Sequence, residues 1–140
     1  MKRFFTFFEF VLCAIALLTL AASFILPHLF EMRLEKNEQV AQMTLKQIIS
    51  PALENYAKDN NGTYPASESL LVKGNPPYLK RLYNGKVIQG FVYSLDLSNV
   101  GYNVLTHPYR CGIKGSGRKS YAITTGAVFN ETDCNLSGGK

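Results

Sequence analysis

Few residues of this 140-residue chain have types and spacings that could carry chemistry: two histidines, three cysteines, one glutamate inside an apolar run and one basic run rich in glycine. His28 follows Pro27 and His107 precedes Pro108, and neither has an Asp, Glu or Cys at a spacing that would hold a metal or orient a catalytic base. Both read as structural or solvated. Lys114-Gly115-Ser116-Gly117-Arg118-Lys119 mixes glycine with cations as phosphate loops do, but the Walker order of Gly, four residues, Gly-Lys and Ser or Thr is missing. These residues predict no enzyme, no metal and no cofactor. A binding role survives: Arg110, Lys114, Arg118 and Lys119 lie close together with Tyr109 and Tyr121, a set suited to phosphate contact with stacking on a nucleic acid or another acidic polymer. The plainer alternative is a solvated basic turn. Asn61-Gly62-Thr63, Asn130-Glu131-Thr132 and Asn135-Leu136-Ser137 match the glycosylation sequon, a frequent accident.

The elements that must position these residues begin with an apolar helix. From Phe4 to Phe30 the only acid is Glu9 and the only base His28. A helix of that length rises about 40 Å, more than the roughly 30 Å of a hydrocarbon core, and Met1-Lys2-Arg3 supplies the positive flank that holds the start in the cytoplasm. A secretory signal cleaved after Ala21-Ala22-Ser23 is the competing reading, opposed by Phe24, Ile25, Leu26, Leu29 and Phe30, which continue the apolar run past that site. A lipidated Cys13 is opposed by the large residues Phe10-Val11-Leu12 before it, and Cys13 is read as an apolar filler. Glu9 costs a few kcal/mol in hydrocarbon. It either snorkels to the near interface or pairs with a positive charge on another subunit.

Beyond the apolar run, Leu34, Val40, Ala41, Leu45, Ile48, Ile49, Ala52, Leu53 and Tyr56 fall at helical spacing, with Glu31, Arg33, Glu35, Lys36, Glu38, Lys46 and Glu54 on the other faces. Pro27 and Pro51 should bend or open this helix, and Asp59-Asn60-Asn61-Gly62 should end it, with Gly62 as a left-handed cap. All 11 glycines lie from Gly62 onward. There the pattern predicts three or four antiparallel strands, over Lys86 to Leu95, Tyr102 to Thr106 and Ser120 to Phe129, laid on the stripe Leu45, Ile48, Ile49 and Leu53. Ala66 to Arg81 is expected to be an irregular loop. Residues 60–140 hold nine bases against four acids, within a net charge of +5 for the chain. Collagen-like, disordered, repeat and disulfide-dense classes are excluded by composition. Cys111 and Cys134 are the only cysteines beyond the apolar run. An extracytoplasmic location permits a disulfide between them, with two reduced thiols or a bond to another chain as the alternatives.

Phe5-Thr6-Phe7-Phe8-Glu9-Phe10, after a short basic leader, resembles the N-terminus of type IV pilins and type II secretion pseudopilins. Glu54-Asn55-Tyr56-Ala57-Lys58-Asp59-Asn60-Asn61-Gly62-Thr63-Tyr64-Pro65 resembles the same family's helix exit. Gly90-Phe91-Val92-Tyr93, Gly101-Tyr102-Asn103-Val104, His107-Pro108 and Arg118 through Gly126 are similar to the strands of its C-terminal sheet. Phe4 stands where the family normally has glycine. The resemblance implies cleavage by a prepilin peptidase between Phe4 and Phe5, N-methylation of Phe5, and pairing of the Glu9 carboxylate with the Phe5 ammonium of a neighbouring subunit. It also implies that Cys111 and Cys134 close a C-terminal disulfide loop.

The expected fold class is therefore α+β: a long N-terminal helix, half membrane-spanning and half amphipathic, packed against a small antiparallel sheet. Residues 1–4 form the leader, 5–30 the transmembrane and filament-core helix, 31–58 the amphipathic helix, and 59–140 the sheet region. The expected function is a structural subunit polymerising with itself or with other pilin-like subunits. It would sit once through the inner membrane with its C-terminal domain outside the cytoplasm, and then in a pilus or periplasmic pseudopilus. A membrane-anchored binding module for nucleic acid or another acidic polymer is the alternative.

Overall fold

The computed structural model describes residues 2–134, with side chains described from Phe8 onward; the chain divides into two compact units, residues 1–33 and 34–140. From Lys2 onward the first unit is helical, part of a helix α1 spanning Lys2–Met43. No glycine interrupts it, and it runs through Pro27 without a break. Two of its hydroxyls are satisfied locally: Thr19 Oγ1 donates to the Ala16 carbonyl at 2.9 Å and Ser23 Oγ to the Thr19 carbonyl at 2.8 Å, which spares an apolar surround two unmet groups. The helix is long and apolar enough to cross a membrane, with a mean hydropathy of 2.5 over its most apolar window, none of which is buried within the chain.

In the second unit the helix continues from Leu34 to the end of α1, passes through a π-helical segment at Thr44–Ile49, and resumes as α2, Ser50–Asp59. The wide turn meets the expectation of an opening near Pro51 and places this proline in the first turn of α2. Asn61 and Gly62 both take positive φ, 54° and 82°, and Gly62 N–H donates to the Ala57 carbonyl at 2.7 Å, closing the helix end where expected. A short helix α3, Ser69–Lys73, follows within the stretch expected to be irregular, and buries Leu71.

The sheet has five antiparallel strands in the order β1 (Val87–Ile88), β2 (Phe91–Ser98), β3 (Gly101–Pro108), β4 (Lys119–Thr124) and β5 (Val128–Asp133). The expected strand over Lys86 to Leu95 is broken in two. Gln89 and Gly90 take positive φ, 49° and 76°, between Ile88 and its partner Phe91, so the chain reverses in a two-residue hairpin. The expected strand over Ser120 to Phe129 likewise turns at Thr125-Gly126-Ala127, giving β4 and β5.

One sheet face carries Phe91, Tyr93, Tyr102, Val104, Tyr121 and Ile123, all buried, onto Ala41, Leu45, Ile49, Ala52 and Leu53 of the helix. Phe91, Tyr121 and Phe129 stack in series, with centroids 6.0 and 5.9 Å apart. Lys46 Nζ caps the Phe129 ring from 3.7 Å. Ile48, assigned to the sheet-facing stripe from its spacing, is exposed instead. The π-helical segment changes the residues per turn just where Ile48 lies, so the 3.6 period no longer points it inward.

Candidate functional site

The residues singled out in the sequence fall into two places. Phe4 and Phe5 lie in the backbone of α1, but their side chains are outside the described residues, as are Lys140 and the Asn135-Leu136-Ser137 sequon. Glu9 is exposed on α1, with no hydrogen bond or ion pair among the described residues. Phe8, Phe10, Leu12, Ile15, Leu17, Leu18 and Leu20 around it are exposed as well. Cys13 is a free, exposed cysteine.

The second place is the loop after β3. Cys111 and Cys134 are joined by a disulfide, with Cα atoms 5.9 Å apart, and the backbone folds back on itself through Gly112 N–H to the Gly117 carbonyl (2.9 Å) and Ser116 N–H to the Arg110 carbonyl (2.8 Å). Gly117 is obligatory: a Cβ there would lie 2.5 Å from Phe91 Cζ. The loop is moored to the helix by Asn37 Nδ2, which donates to the Ser116 carbonyl at 3.1 Å, and by Glu38 Oε1, which accepts from Arg118 N–H at 2.6 Å and Arg118 Nε at 3.4 Å. The four bases thus separate into two pairs. Arg118 faces Glu38, and Lys119 Nζ donates to Glu131 Oε1 at 2.9 Å, a bond that raises the Lys119 pKa. Arg110 and Lys114 are exposed and form no ion pair among the described residues. Tyr121 was expected to offer its ring for stacking beside these bases. It is buried between Phe91 and Phe129, with its pKa raised by that burial, and is closed to a ligand. Tyr109, 65% exposed, remains available, and Ile113 joins it at 65%.

The pattern assigned Glu38 and Glu54 to solvent, and both are used internally. Glu54 accepts hydrogen bonds from Tyr64 Oη (2.9 Å), Tyr102 Oη (2.8 Å) and Gly126 N–H (3.1 Å), tying the helix to its exit loop, to β3 and to the β4–β5 turn. Burial, countered in part by Ser50 and reinforced by Glu54, pushes the Tyr102 pKa up to about 12. Glu68 plays the same part for the backbone N–H groups of Tyr83 and Asn84. No spacing rule flags these acids, because their partners, backbone amides and side chains alike, lie ten or more residues away in sequence.

Open cavities lie in this unit. One of about 500 Å³ is lined by Gln47, Ile48, Pro51, Asn55, Tyr78 and Lys80 among others; another, about 450 Å³, lies beside the disulfide against His107, Tyr109 and Ser120. Among the described residues no group of three His, Cys, Asp or Glu side chains could hold a metal ion. No family model, curated protein or solved structure matches the chain.

Proposed function

We propose that this chain is a pilin-like structural subunit of a type IV pilus or type II secretion pseudopilus, assembled through its N-terminal helix. The observation that carries the reading is the combination, on the apolar part of α1, of a surface left unburied among the described residues with a single acid, Glu9, near its start. A lipid anchor needs the apolar surface alone. A carboxylate beside it is costly in hydrocarbon and gains from a cation brought by another subunit. Cleavage between Phe4 and Phe5 would supply that cation as the Phe5 ammonium, a substrate for N-methylation. The helix exit motif supports the same reading through a physical role, since Glu54 and Tyr64 from its two ends are bonded to each other.

Glu9→Ala tests the proposal. Membrane-fraction abundance should stay the same or rise, because a charge has been removed from hydrocarbon, while the yield of sheared filaments should collapse. Intact-mass measurement of native protein should find a chain beginning at Phe5. Equal filament yield from Glu9→Ala would refute the pairing, and a chain recovered only with Met1 would favour the anchored binding module, whose ligand-facing cations would be Arg110 and Lys114.

A further inference from the structure

We propose that the tip of the disulfide loop, Tyr109, Arg110, Ile113 and Lys114, is a docking surface for the anionic lipid headgroups of the membrane that α1 crosses. The inference rests on α1 spanning a membrane and is independent of polymerisation. Three observations carry it.

The first is composition at the tip. An exposed aromatic and an exposed aliphatic side chain alternate with two cations that have no acid partner among the described residues, and amphipathic rings with basic residues are what membrane interfaces favour. The second is rigidity. The disulfide, the Gly112–Gly117 and Ser116–Arg110 backbone bonds and the mooring to Asn37 and Glu38 fix the loop before it meets a partner, so little ordering cost remains at docking. The third is tether length. Arg118 N–H is bonded to Glu38, only eight residues beyond Phe30, the last residue of the apolar run. Eight residues of chain reach about 28 Å at most, so the point at which the loop is moored to the helix lies within that distance of the end of the apolar run.

Arg110 and Lys114 then meet lipid phosphates while Tyr109 and Ile113 enter the headgroup layer. A nucleic acid would use the same cations, but nothing in the fold brings it to the loop, whereas the tether brings the membrane. Docking of this kind holds the second unit against the bilayer until a stronger contact displaces it.

The chain contains no tryptophan, so Tyr109→Trp places a single fluorescent reporter at an exposed position, and Ile113→Trp gives an independent second one. Full-length protein is reconstituted into vesicles of phosphatidylcholine alone or mixed with phosphatidylglycerol, and flotation checks insertion. The expected result is blue-shifted emission, quenched by brominated lipid, in the anionic vesicles, with partial reversal by added salt. Adding Arg110→Ser and Lys114→Ser should lower the docked-to-undocked ratio about thirtyfold, two cations' worth of surface attraction. Water-like emission from both reporters in both vesicle types would overturn the proposal. So would failure of the chain to float, which removes the span itself. A shift produced by an oligonucleotide and not by vesicles would reassign the surface to nucleic acid.

Discussion

Phe24 in the apolar run is 76% exposed, whereas Tyr93 in β2 is fully buried, and the opposition extends to the hydrogen-bonding groups of the two regions. Residues 8–30 satisfy their hydroxyls within a helical turn and leave Glu9 without a partner among the described residues. Residues 34–134 join distant parts of the chain: Glu38 to Arg118, Glu54 to Tyr102 and Gly126, Glu68 to Tyr83. The second region carries its own core and polar ties. The first has no such core among the described residues, and on the proposed reading lipid or copies of itself would supply its packing. Within the second region Glu38, Glu54 and Glu68 are held in internal bonds, whereas Arg110 and Lys114 are exposed and form no ion pair among the described residues.

A core truncation set beside a truncation in the apolar run gives the largest contrast. Leu53→Ala, at a fully buried position among helix and sheet side chains, should destabilise residues 34–134 by about 2–5 kcal/mol. Leu18→Ala, on an exposed position of α1, should leave the urea midpoint of the detergent-solubilised monomer within about 0.5 kcal/mol of wild type. Urea titration followed by near-ultraviolet circular dichroism reads both. A midpoint for Leu53→Ala equal to that of wild type would remove the helix stripe from the core.

Removing the disulfide should have a comparable or smaller effect. The loop it closes has a sequence separation of 23, worth roughly 3 kcal/mol in the chain-entropy account. Cys111→Ser with Cys134→Ser should therefore lower the urea midpoint and expose the segment around Lys114 to trypsin, while the helical signal of α1 persists. Nonreducing peptide mapping of wild type should recover the two cysteines linked within one chain. Equal trypsin resistance in the double variant would show that the mooring to Asn37 and Glu38 holds the loop alone.

What could be read from sequence follows the range of the interaction. Apolar spacing gave the helix, Asp59-Asn60-Asn61-Gly62 its end, and alternation between turn residues the antiparallel sheet, all of them local properties. Ile48 departs from the pattern because the π-helical segment shifts the register. The Gln89-Gly90 turn escaped because a glutamine at positive φ is not a standard turn residue, so the alternation of Val87, Val92 and Tyr93 looked continuous across it. Tyr121 was grouped with the loop bases by proximity in sequence, although strand alternation turns its ring to the core. Glu38, Glu54 and Glu68 bond partners that only the folded chain brings near, and composition alone could not separate them from solvated acids.

The smallest effect expected is a pH limb belonging to the second region alone. Tyr102 has its pKa pushed up to about 12, first by burial, with the Glu54 carboxylate adding to it; burial also raises Tyr93 and Tyr121. An unfolded tyrosine ionises near 10. Above that pH the unfolded chain gives up protons that the folded chain retains, so it binds fewer protons and stability falls as pH rises. The stabilising contribution of Tyr102 is fully present below pH 10 and is lost between about 10 and 12. Tyr102→Phe removes that titration and should flatten the alkaline decline without abolishing it, since Tyr93 and Tyr121 still contribute. At pH 7 the same variant should be less stable, because Ser50 and Glu54 each lose a hydrogen-bond partner. Residues 8–30 contain no tyrosine, so the far-ultraviolet signal of α1 in detergent should not follow this limb. Urea midpoints at pH 7, 10 and 11 for wild type and variant decide the matter: parallel declines would show that Tyr102 ionises alike in folded and unfolded chains, and that the Glu54 contact does not hold its proton.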